Sequence, residues 1–254
     1  MKTLVRYGEI HLKSDPVKRH MLNILKSNIK NELNVDANII SGRLKLENYS
    51  KQIKNKLKRT FGVISFSPCK QIEKDIEKIK KESKEFFKDF KGTFAIRAKR
   101  SDKSFPSTSK EIENIVGEKI VSLGPKVDLD SPDKTLFIEI RDKAYLYTKI
   151  IDGPKGMPLG TGGCVNAKTI NKKDLLACWF IMKRGVEVVC KGEKKLIDGL
   201  KKWSIGRSLP ERCENKIRVS GENNVNKIKN NNNLYPLVGL TDKEINKKLT
   251  TLFF

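Results

Sequence analysis

A basic stretch in the first half of the chain, FAIRAKRSDKSFPSTSK, has the composition of a phosphate-binding surface. It contains Arg97, Lys99, Arg100, Lys103 and Lys110. These cations fall where a predicted strand ends and a predicted helix begins, so side-chain charges and free backbone N–H groups can hold phosphates together. The stretch therefore predicts contact with a nucleic-acid backbone. The alternative is a charged loop that only faces solvent.

Phe105 and Pro106 lie at the same corner of the chain. An aromatic ring in this place can stack on an unpaired base, which makes Phe105 a candidate RNA-binding residue. Alternatively, the ring fills the hydrophobic core. Proteins recognise RNA ends and single strands more readily than A-form grooves, so we expect RNA of this kind as the ligand.

A second stretch, TINKKDLLACWFIMKRGVEVVC, has the outline of half a nucleotide-binding unit: a turn, an apolar helix, a glycine and a short strand. The turn consists of Thr169, Ile170, Asn171, Lys172, Lys173 and Asp174, and it contains no glycine. Glycine normally lets consecutive N–H groups approach a phosphate closely. Ile170 places a branched side chain in that space, and Asp174 places an anion where a phosphate would sit. The turn therefore predicts a nucleotide site that has lost its phosphate chemistry.

The cysteines do not form a metal-binding or disulfide pattern. The chain has five, Cys69, Cys164, Cys178, Cys190 and Cys213, with irregular gaps and no Cys-x-x-Cys pair. This argues against a disulfide framework and against a zinc ribbon, so no metal is expected. Cys178 and Cys190 fall in apolar segments and are expected to be core thiols. Cys213, between Arg212 and Lys216, is the one candidate for a reactive thiol.

Hydrophobic periodicity predicts the elements that position these residues. The first segment predicts strand 3–7, helix 17–33, a hairpin at Ser41-Gly42, helix 51–59 and strand 62–69, which is the β-α-β-β-α-β order of a ferredoxin-like domain. The second segment predicts helix 72–90, strand 93–98, a helix capped by residues 107–109, and strands 135–140 and 144–150. After the glycine-rich connector DGPKGMPLGTGG, the last segment predicts helices 175–183, 194–203 and 241–249 and strands 186–190 and 217–219.

The composition indicates a polyanionic partner. The 254 residues include 53 Lys and Arg against 30 Asp and Glu, a formal net charge of +23. Such an excess favours nucleic acid before membrane, although compositional drift is the alternative. No stretch approaches the ~18 apolar residues of a membrane span, and the N-terminus has no signal-peptide core. We therefore expect a cytoplasmic protein that does not bind membranes.

Four motifs resemble one protein family. The segments RYGEIHLKS, FAIRAKRSDKSFPSTSKEI, VDLDSPDKTLFIEI and GPKGMPLGTGG occur in this order within the first 163 residues. Together they resemble the tRNA 4-thiouridine synthetases, which are tRNA sulfurtransferases. The resemblance implies an α/β chain with an α+β ferredoxin-like domain at 1–71, a THUMP domain at 72–155, a connector at 156–164, and a truncated, degenerate PP-loop domain, Rossmann-like in fold, at 165–254.

The resemblance also implies a partner and a set of contact residues. Members of the family bind tRNA through their first two domains, and the THUMP domain recognises the acceptor end. The matched basic residues are Lys13, Arg97, Arg100, Lys103 and Lys110, to which the basic stretch adds Lys99 and Phe105. For Arg6 and Glu9 we expect a structural role, because opposite charges around a turn often fix the end of a strand.

The resemblance continues into LLACWFIMKRGVEVV, which matches the first helix and second strand of the family's PP-loop domain. The phosphate-binding Ser-Gly-Gly-x-Asp-Ser then falls on residues 169–174. Both glycines are absent, Lys173 stands at the acidic position, and Asp174 replaces the final serine. The resemblance therefore implies no bound ATP or Mg²⁺.

Three hypotheses remain open at this point. In the first, the chain is a tRNA-binding protein without catalysis of its own. In the second, it is a component of an active tRNA sulfurtransferase, with ATP and Mg²⁺ bound in a site completed by a partner chain, either a second copy, a full-length sulfurtransferase or another tRNA-modifying enzyme. In the third, it is a general RNA-binding module with no tie to thiolation, or the product of a decaying pseudogene.

Overall fold

The computed structural model describes residues 1–228 and 232–253, except for the side chain of His11. The described residues form seven α-helices: α1 (Asp15–Leu33), α2 (Lys51–Leu57), α3 (Ile76–Glu85), α4 (Ser109–Val121), α5 (Lys172–Lys183), α6 (Lys194–Lys201) and α7 (Asp242–Phe253). They also form strands β1 (Lys2–Tyr7), β2 (Ala37–Ile40), β3 (Arg43–Leu46), β4 (Val63–Ile72), β5 (Thr93–Arg100), β6 (Lys126–Val127), β7 (Lys134–Ile140), β8 (Ala144–Tyr147), β9 (Ile151–Asp152), β10 (Cys164–Thr169), β11 (Glu187–Gly192), β12 (Arg218–Val219) and β13 (Asn233–Leu234).

The chain divides into two compact units that do not follow the order of the sequence. The first unit contains Met1–Arg6, Asn38–Tyr49 and Phe66–Ile151. The second contains Tyr7–Ala37, Ser50–Ser65 and Asp152–Phe254. The chain therefore enters each unit more than once.

The first six regular elements have the order β1-α1-β2-β3-α2-β4, apart from a short 3₁₀ helix after β1. This confirms the ferredoxin-like order predicted from the sequence. Helix α1 begins with a proline in its first turn and ends at Asn34, whose left-handed conformation (φ 51°) stops the helix. Helix α2 begins at Ser50, which accepts a hydrogen bond from the backbone N–H of Ile53.

The first unit is built on a sheet with the strand order β2-β3-β1-β4-β8-β7-β5-β6. Strand β5 is parallel to β7, and β7 is antiparallel to β8. On one face, Ile96, Ile138 and Leu146 pack in the same apolar core as Ile79 of α3 and Ile112 of α4. Ile96, Ile138 and Leu146 are all buried in this core.

Helix α3 is shorter than the sequence predicts. Strand β4 extends to Ile72, and Asp75 then begins the helix by accepting a hydrogen bond from the N–H of Lys78 at 2.8 Å. After Glu85 the chain turns, and Asp89 has a positive φ of 60°. The apolar spacing that predicted a helix up to residue 90 instead reflects a cluster of phenylalanines, in which Phe87 contacts Phe90 and Phe94 edge-on.

A buried group of charged side chains lies in the sheet of the first unit. Glu139 is 3% exposed, and its carboxylate lies 3.3 Å from Arg6 and 3.2 Å from Arg43, and it accepts a 2.8 Å hydrogen bond from Arg141. The hydroxyl of Tyr147 donates to the same carboxylate at 2.8 Å. Arg6 therefore has the structural role expected for it, with Glu139 as its partner.

The second unit contains a parallel sheet with the order β11-β10-β12-β13. Its core joins sheet residues such as Val165 and Val188 to α5, α6 and α7. Trp179 of α5, Trp203 and Phe61 contact one another at the centre, with ring centroids 5.3 to 5.7 Å apart. The sequence predictions missed β10, the strand that β11 and β12 flank.

Candidate nucleic-acid interface

The basic corner, which we define as Arg97, Lys99, Arg100, Lys103 and Lys110, lies on β5, on the start of α4 and on the loop between them. Helix α4 begins with a capping box, in which Thr108 accepts from the N–H of Glu111 while Glu111 accepts from the N–H of Thr108. The hydroxyl of Ser109 also accepts from the backbone N–H of Arg100 at 3.1 Å. These bonds tie the strand end to the helix start, as the sequence predicted.

An acidic residue that the sequence analysis did not weigh holds the loop in shape. The carboxylate of Asp102 accepts hydrogen bonds from the backbone N–H of Ser104 at 2.9 Å and from its hydroxyl at 2.7 Å. It also pairs with Lys74, and the hydrogen bond from this lysine holds the pKa of Asp102 well below its usual range. The D-x-S pattern of residues 102–104 is the signal for such a turn.

The five cations of the basic corner differ in how free they are. Within the described residues, the side chains of Lys99 and Lys103 are exposed and have neither a hydrogen bond nor an ion pair. Arg97 donates to the carbonyl of Leu129 at 2.6 Å, and Arg100 donates to that of Phe105 at 2.9 Å. Lys110 lies 3.8 Å from Glu113 and is mostly exposed. Lys99 and Lys103 are therefore the ammonium groups most available to a phosphate.

Phe105 does not belong to this surface, and the prediction that its ring can stack on a base is wrong. The side chain is 6% exposed and packs in the core of the first unit with Ile112 and Ile140. The carbonyl of Phe105 accepts a hydrogen bond from the side chain of Arg100 at 2.9 Å. Burying an aromatic ring is more favourable than leaving it in water, and here the core has room for it.

Lys13 is exposed and follows the short 3₁₀ helix Glu9–Leu12. It belongs to the second unit, whereas the basic corner belongs to the first. Glu9 of the same segment lies 3.3 Å from Arg184. The role of Lys13 in RNA binding stays a prediction.

In the turn at residues 169–174, backbone N–H groups donate hydrogen bonds to the carboxylate of Asp174. Asp174 accepts hydrogen bonds from the backbone N–H groups of Ile170 and Asn171, each at 3.2 Å, and from that of Gly221 at 3.1 Å. Asn171 in turn accepts from the N–H of Asp174 at 3.0 Å, which completes a capping box at the start of α5. The carboxylate thus takes three N–H groups at a helix N-terminus, the kind of donors that an anionic ligand uses.

The cavity beside this turn has a volume of about 830 Å³ and is lined by as many acidic as basic side chains. The cations are Lys172, Lys173 and Lys227, and the carboxylates are Asp174, Glu222 and Asp242. Lys173 lies 2.8 Å from Asp242, and the hydrogen bond from Lys173 lowers the pKa of that carboxyl. The side chain of Lys173 also donates to Asn223 at 3.0 Å. The positive charge of Lys173 is therefore compensated by a neighbouring acid, and the lining as a whole has no excess of cations.

Cys213 forms a disulfide with Cys164, so the prediction of a reactive thiol at Cys213 is wrong. The expectation that the cysteines form no disulfide also fails for this pair. The two residues are 49 positions apart, and their Cα atoms are 6.0 Å apart because the segment before β12 crosses the start of β10. Linear spacing gives no signal for a bridge between segments that only the fold brings together.

Two of the remaining three cysteines, Cys69 and Cys178, have the properties of core thiols. The same expectation fails for Cys190, which is only partly buried and whose pKa is lowered by a hydrogen bond with Cys178. Cys69 and Cys178 are fully buried. Burial raises the pKa of the Cys69 thiol to about 12. A hydrogen bond with Cys190, together with burial, raises the pKa of the Cys178 thiol. Both are therefore protonated near neutral pH and poor nucleophiles.

Residues 1–228 and 232–253 contain no group of three or more His, Cys, Asp or Glu side chains placed to hold a metal ion. In the same part of the chain, none of the helices has the length and apolarity to cross a bilayer.

Comparison with protein-family models identifies the first two domains. A model of the ThiI ferredoxin-like domain matches residues 2–67, and a model of the THUMP domain matches residues 70–149. The basic corner lies in the THUMP match.

Curated relatives are probable tRNA sulfurtransferases. The one from Methanocaldococcus jannaschii is 37% identical over 211 residues, which cover 74% of this chain and 55% of the relative. The one from Caldanaerobacter subterraneus is 36% identical over 196 residues, and the match covers 73% of this chain and 51% of the relative. The chain thus spans about half the length of the curated relatives it matches.

Two solved structures resemble the whole chain or most of it. A crystal structure of a protein from Pyrococcus horikoshii has 29% identity and a TM-score of 0.83, and the match covers 100% of this chain and 99% of that one. A 4-thiouridine synthetase in complex with RNA and ATP has 26% identity and a TM-score of 0.66, and the match covers 81% and 59%. By its ferredoxin-like and THUMP domains, the chain belongs to the THUMP-domain family of tRNA sulfurtransferases, the 4-thiouridine synthetases.

Proposed function

We propose that this chain is a tRNA-binding protein whose THUMP domain docks the acceptor end of tRNA, and that it does not carry out ATP-dependent chemistry of its own. The binding half of the proposal is supported by the relatives, which are named as tRNA sulfurtransferases or solved in complex with RNA. It is also supported by Lys99 on β5 and Lys103 on the loop before α4, whose exposed side chains have no partner among the described residues. Cations at such a place hold phosphates in register.

The observation that carries the second half is the position of Asp174. Its carboxylate accepts from the N–H groups of Ile170, Asn171 and Gly221, so a triphosphate would have to displace an anion that is part of the chain. A Cβ on Gly221 would lie 2.5 Å from the backbone nitrogen of Asp174, which shows how closely the two segments pack. The residues at this turn therefore do not fit ATP and Mg²⁺, and no chemical step is assigned to them.

The charge around the turn supports the same proposal. ATP carries several negative charges, and a site for it normally supplies an excess of cations or a metal ion. Three carboxylates here face three ammonium groups, and Lys173 is already paired with Asp242 at 2.8 Å. The attraction for a triphosphate is therefore small.

Calorimetric titration tests the absence of nucleotide binding. ATP with Mg²⁺, and ATP alone, should give no saturable heat up to about 1 mM. Micromolar binding in either titration would overturn this half of the proposal. A parallel titration of the Asp174→Ser variant, which restores the family residue at that position, separates the effect of the carboxylate from that of the missing glycines.

Docking of the acceptor end is tested with two forms of one tRNA. The full molecule should bind more tightly than a form that lacks the single-stranded 3′ end, because protein reads unpaired RNA ends by direct contact. Equal affinity for the two forms would contradict recognition of the acceptor end.

A further inference from the structure

The parallel sheet of the second unit has one covered face and one open face. On the covered face, Val165, Ala167 and Val219 pack in the core with α5, α6 and α7. Sheets made only of parallel strands are normally covered on both sides. Here the side chains that alternate with the core residues point away from these helices, and several of them are exposed.

The register of the strands gathers these outward side chains in one place. Asn166 of β10 lies opposite Val189 of β11 on one side and Arg218 of β12 on the other. Lys168 lies opposite Lys191. The side chains line a cavity of about 900 Å³, to which the segment at residues 213–216 also contributes. We call this cavity and its lining the open face.

The open face carries a strong excess of positive charge. Its lining contains four cations, Lys168, Lys191, Lys216 and Arg218, and one carboxylate, Glu214. Within the described residues, none of the four cations has a hydrogen bond or an ion pair from its side chain, and all four are exposed. This differs from the cavity beside residues 169–174, where acids and bases are equal in number.

A neighbouring acid does not reduce this charge. Glu187 of β11 lies opposite Cys164, on the same side of the sheet, but Arg207 donates to its carboxylate at 2.7 Å. Its charge is therefore compensated locally, and Glu187 is not a partner for the four cations.

Two links hold the segment at residues 213–216 against the open face. The disulfide fixes Cys213 to Cys164 at the start of β10. The side-chain amide of Asn166 donates to the backbone carbonyls of Cys213 at 3.3 Å and Asn215 at 2.6 Å. Lys216 is thereby kept beside the strand cations, so the face is a fixed arrangement of charges.

We propose that the open face binds the phosphate backbone of a single RNA strand. Four cations without partners on one open surface, with amide side chains between them, match a chain of phosphodiesters in charge. Among the described residues, the lining includes no aromatic side chain for base stacking, so binding is independent of sequence. This site lies outside the THUMP domain and goes beyond the proposed docking of the acceptor end.

Lysine footprinting locates the contact directly. The intact chain is acetylated briefly with and without a single-stranded RNA of 12 nucleotides and mixed sequence, and the modified peptides are quantified by mass spectrometry. Lys168, Lys191 and Lys216 should be protected at least threefold. Lys195, Lys243 and Lys247, exposed on α6 and α7 across the sheet, are the matched controls and should be unchanged. Equal labelling of all six with and without RNA would overturn the proposal.

Charge-neutralising variants give a second, quantitative test with the same RNA. A triple variant with Lys168→Gln, Lys191→Gln and Arg218→Gln should make the plot of log affinity against log salt shallower by about 2, since each phosphate contact to a single strand contributes about 0.7 to the magnitude of the slope. The control variant with Lys195→Gln, Lys243→Gln and Lys247→Gln should not change the slope. A change no larger than that of the control would overturn the proposal.

Other outcomes separate this site from the basic corner and from a protein partner. A Lys99→Gln and Lys103→Gln variant that loses affinity, while the open-face variant does not, would overturn this inference and leave the proposed function standing. If the open-face variant loses affinity and the Lys99→Gln and Lys103→Gln variant does not, the result supports this inference and contradicts RNA binding at the basic corner. Dimerisation of the unmodified chain in sedimentation velocity, abolished by the open-face variant, would show that a second copy covers the face and would also overturn the inference.

Discussion

The buried carboxylate of Glu139 should be the strongest single electrostatic contributor to the stability of the first unit. Burial by itself would raise the pKa of Glu139, but the guanidinium groups of Arg43, Arg141 and Arg6 outweigh it and lower the pKa from 4.5 to about 2. One unit of pKa shift corresponds to about 1.36 kcal/mol. A shift of this size therefore corresponds to about 3 kcal/mol of stability at neutral pH.

The sign of the pH dependence follows from the lowered pKa. The stabilisation is fully present above the unfolded value of 4.5 and is lost as the pH falls towards the folded value of about 2. At pH 3, about 2 kcal/mol of it should already be lost. The loss should therefore take place below about pH 4.5, where an isolated glutamate is already mostly protonated, whereas Glu139 in the folded chain keeps its charge down to about pH 2.

The Glu139→Gln variant tests this reasoning in urea unfolding at pH 7 and pH 3. At pH 7 it should lose about 3 to 5 kcal/mol, because three arginines remain around an uncharged amide. The difference from the unmodified chain should shrink by about 2 kcal/mol at pH 3. Tyr147→Phe is the matched control, since it removes the 2.8 Å hydrogen bond to Glu139 without changing the charge and should cost about 1 kcal/mol.

The outcome that refutes this reasoning is a Glu139→Gln variant within about 1 kcal/mol of the unmodified chain at pH 7, comparable with the loss of one hydrogen bond. A stability difference that stays constant between pH 7 and pH 3 would also refute it. In that case the carboxylate would not titrate with a lowered pKa, and the arginines would find other partners.

Two further predictions concern residues whose roles the structure changed. Replacing Cys164 and Cys213 together by serine should lower the free energy of unfolding in urea by up to about 4 kcal/mol, as chain entropy predicts for a bridge across 49 residues. Alkylation of the denatured chain should modify three cysteines before reduction and five after it. Five modified cysteines before reduction would contradict the bridge. Phe105→Ala should lower the free energy of unfolding by about 3 to 5 kcal/mol in thermal unfolding, because the ring is in the core. The control Lys103→Ala should change it by less than about 0.5 kcal/mol. Equal effects of the two variants would place Phe105 on the surface.

Much of the fold could be predicted from the sequence because its local signals agree with its packing. Helix α4 is an example, since the apolar spacing of Ile112, Val116 and Ile120 and the capping residue Thr108 point to the same helix. The ferredoxin-like order of the first six elements followed from the same kind of pattern. The end of helix α3 did not, because phenylalanines that pack after a turn imitate helical spacing.

Strand β10 was missed although its sequence, CVNAKT, alternates between core and outward residues. Central parallel strands are usually apolar throughout, and Asn166 and Lys168 depart from that pattern. The alternation of core and outward residues was the sequence signal for this strand. It could be interpreted only when the sheet was known to be covered on one face, and the positions of α5, α6 and α7 show this. The disulfide to Cys213 had no sequence signal for the same reason.

The candidate site was partly predictable. The sequence indicated both the basic corner and the anion at Asp174, because residue type and the order of predicted elements suffice for that. The sequence did not show which cations are free, because their partners are set only in the folded chain. Arg97 donates to the carbonyl of Leu129, Arg100 donates to that of Phe105, and Asp102 pairs with Lys74. Whether the corner binds RNA stays a prediction.

The salt dependence of tRNA binding tests the central claim most directly. The Lys99→Gln and Lys103→Gln variant is compared with a control, Lys81→Gln and Lys88→Gln, which removes two exposed lysines from the same unit. We predict that the first variant lowers the slope of log affinity against log salt by about 1.4, or about 0.7 per lost phosphate contact, while the control leaves it unchanged. Equal slopes for the unmodified chain and both variants would contradict tRNA binding at the basic corner.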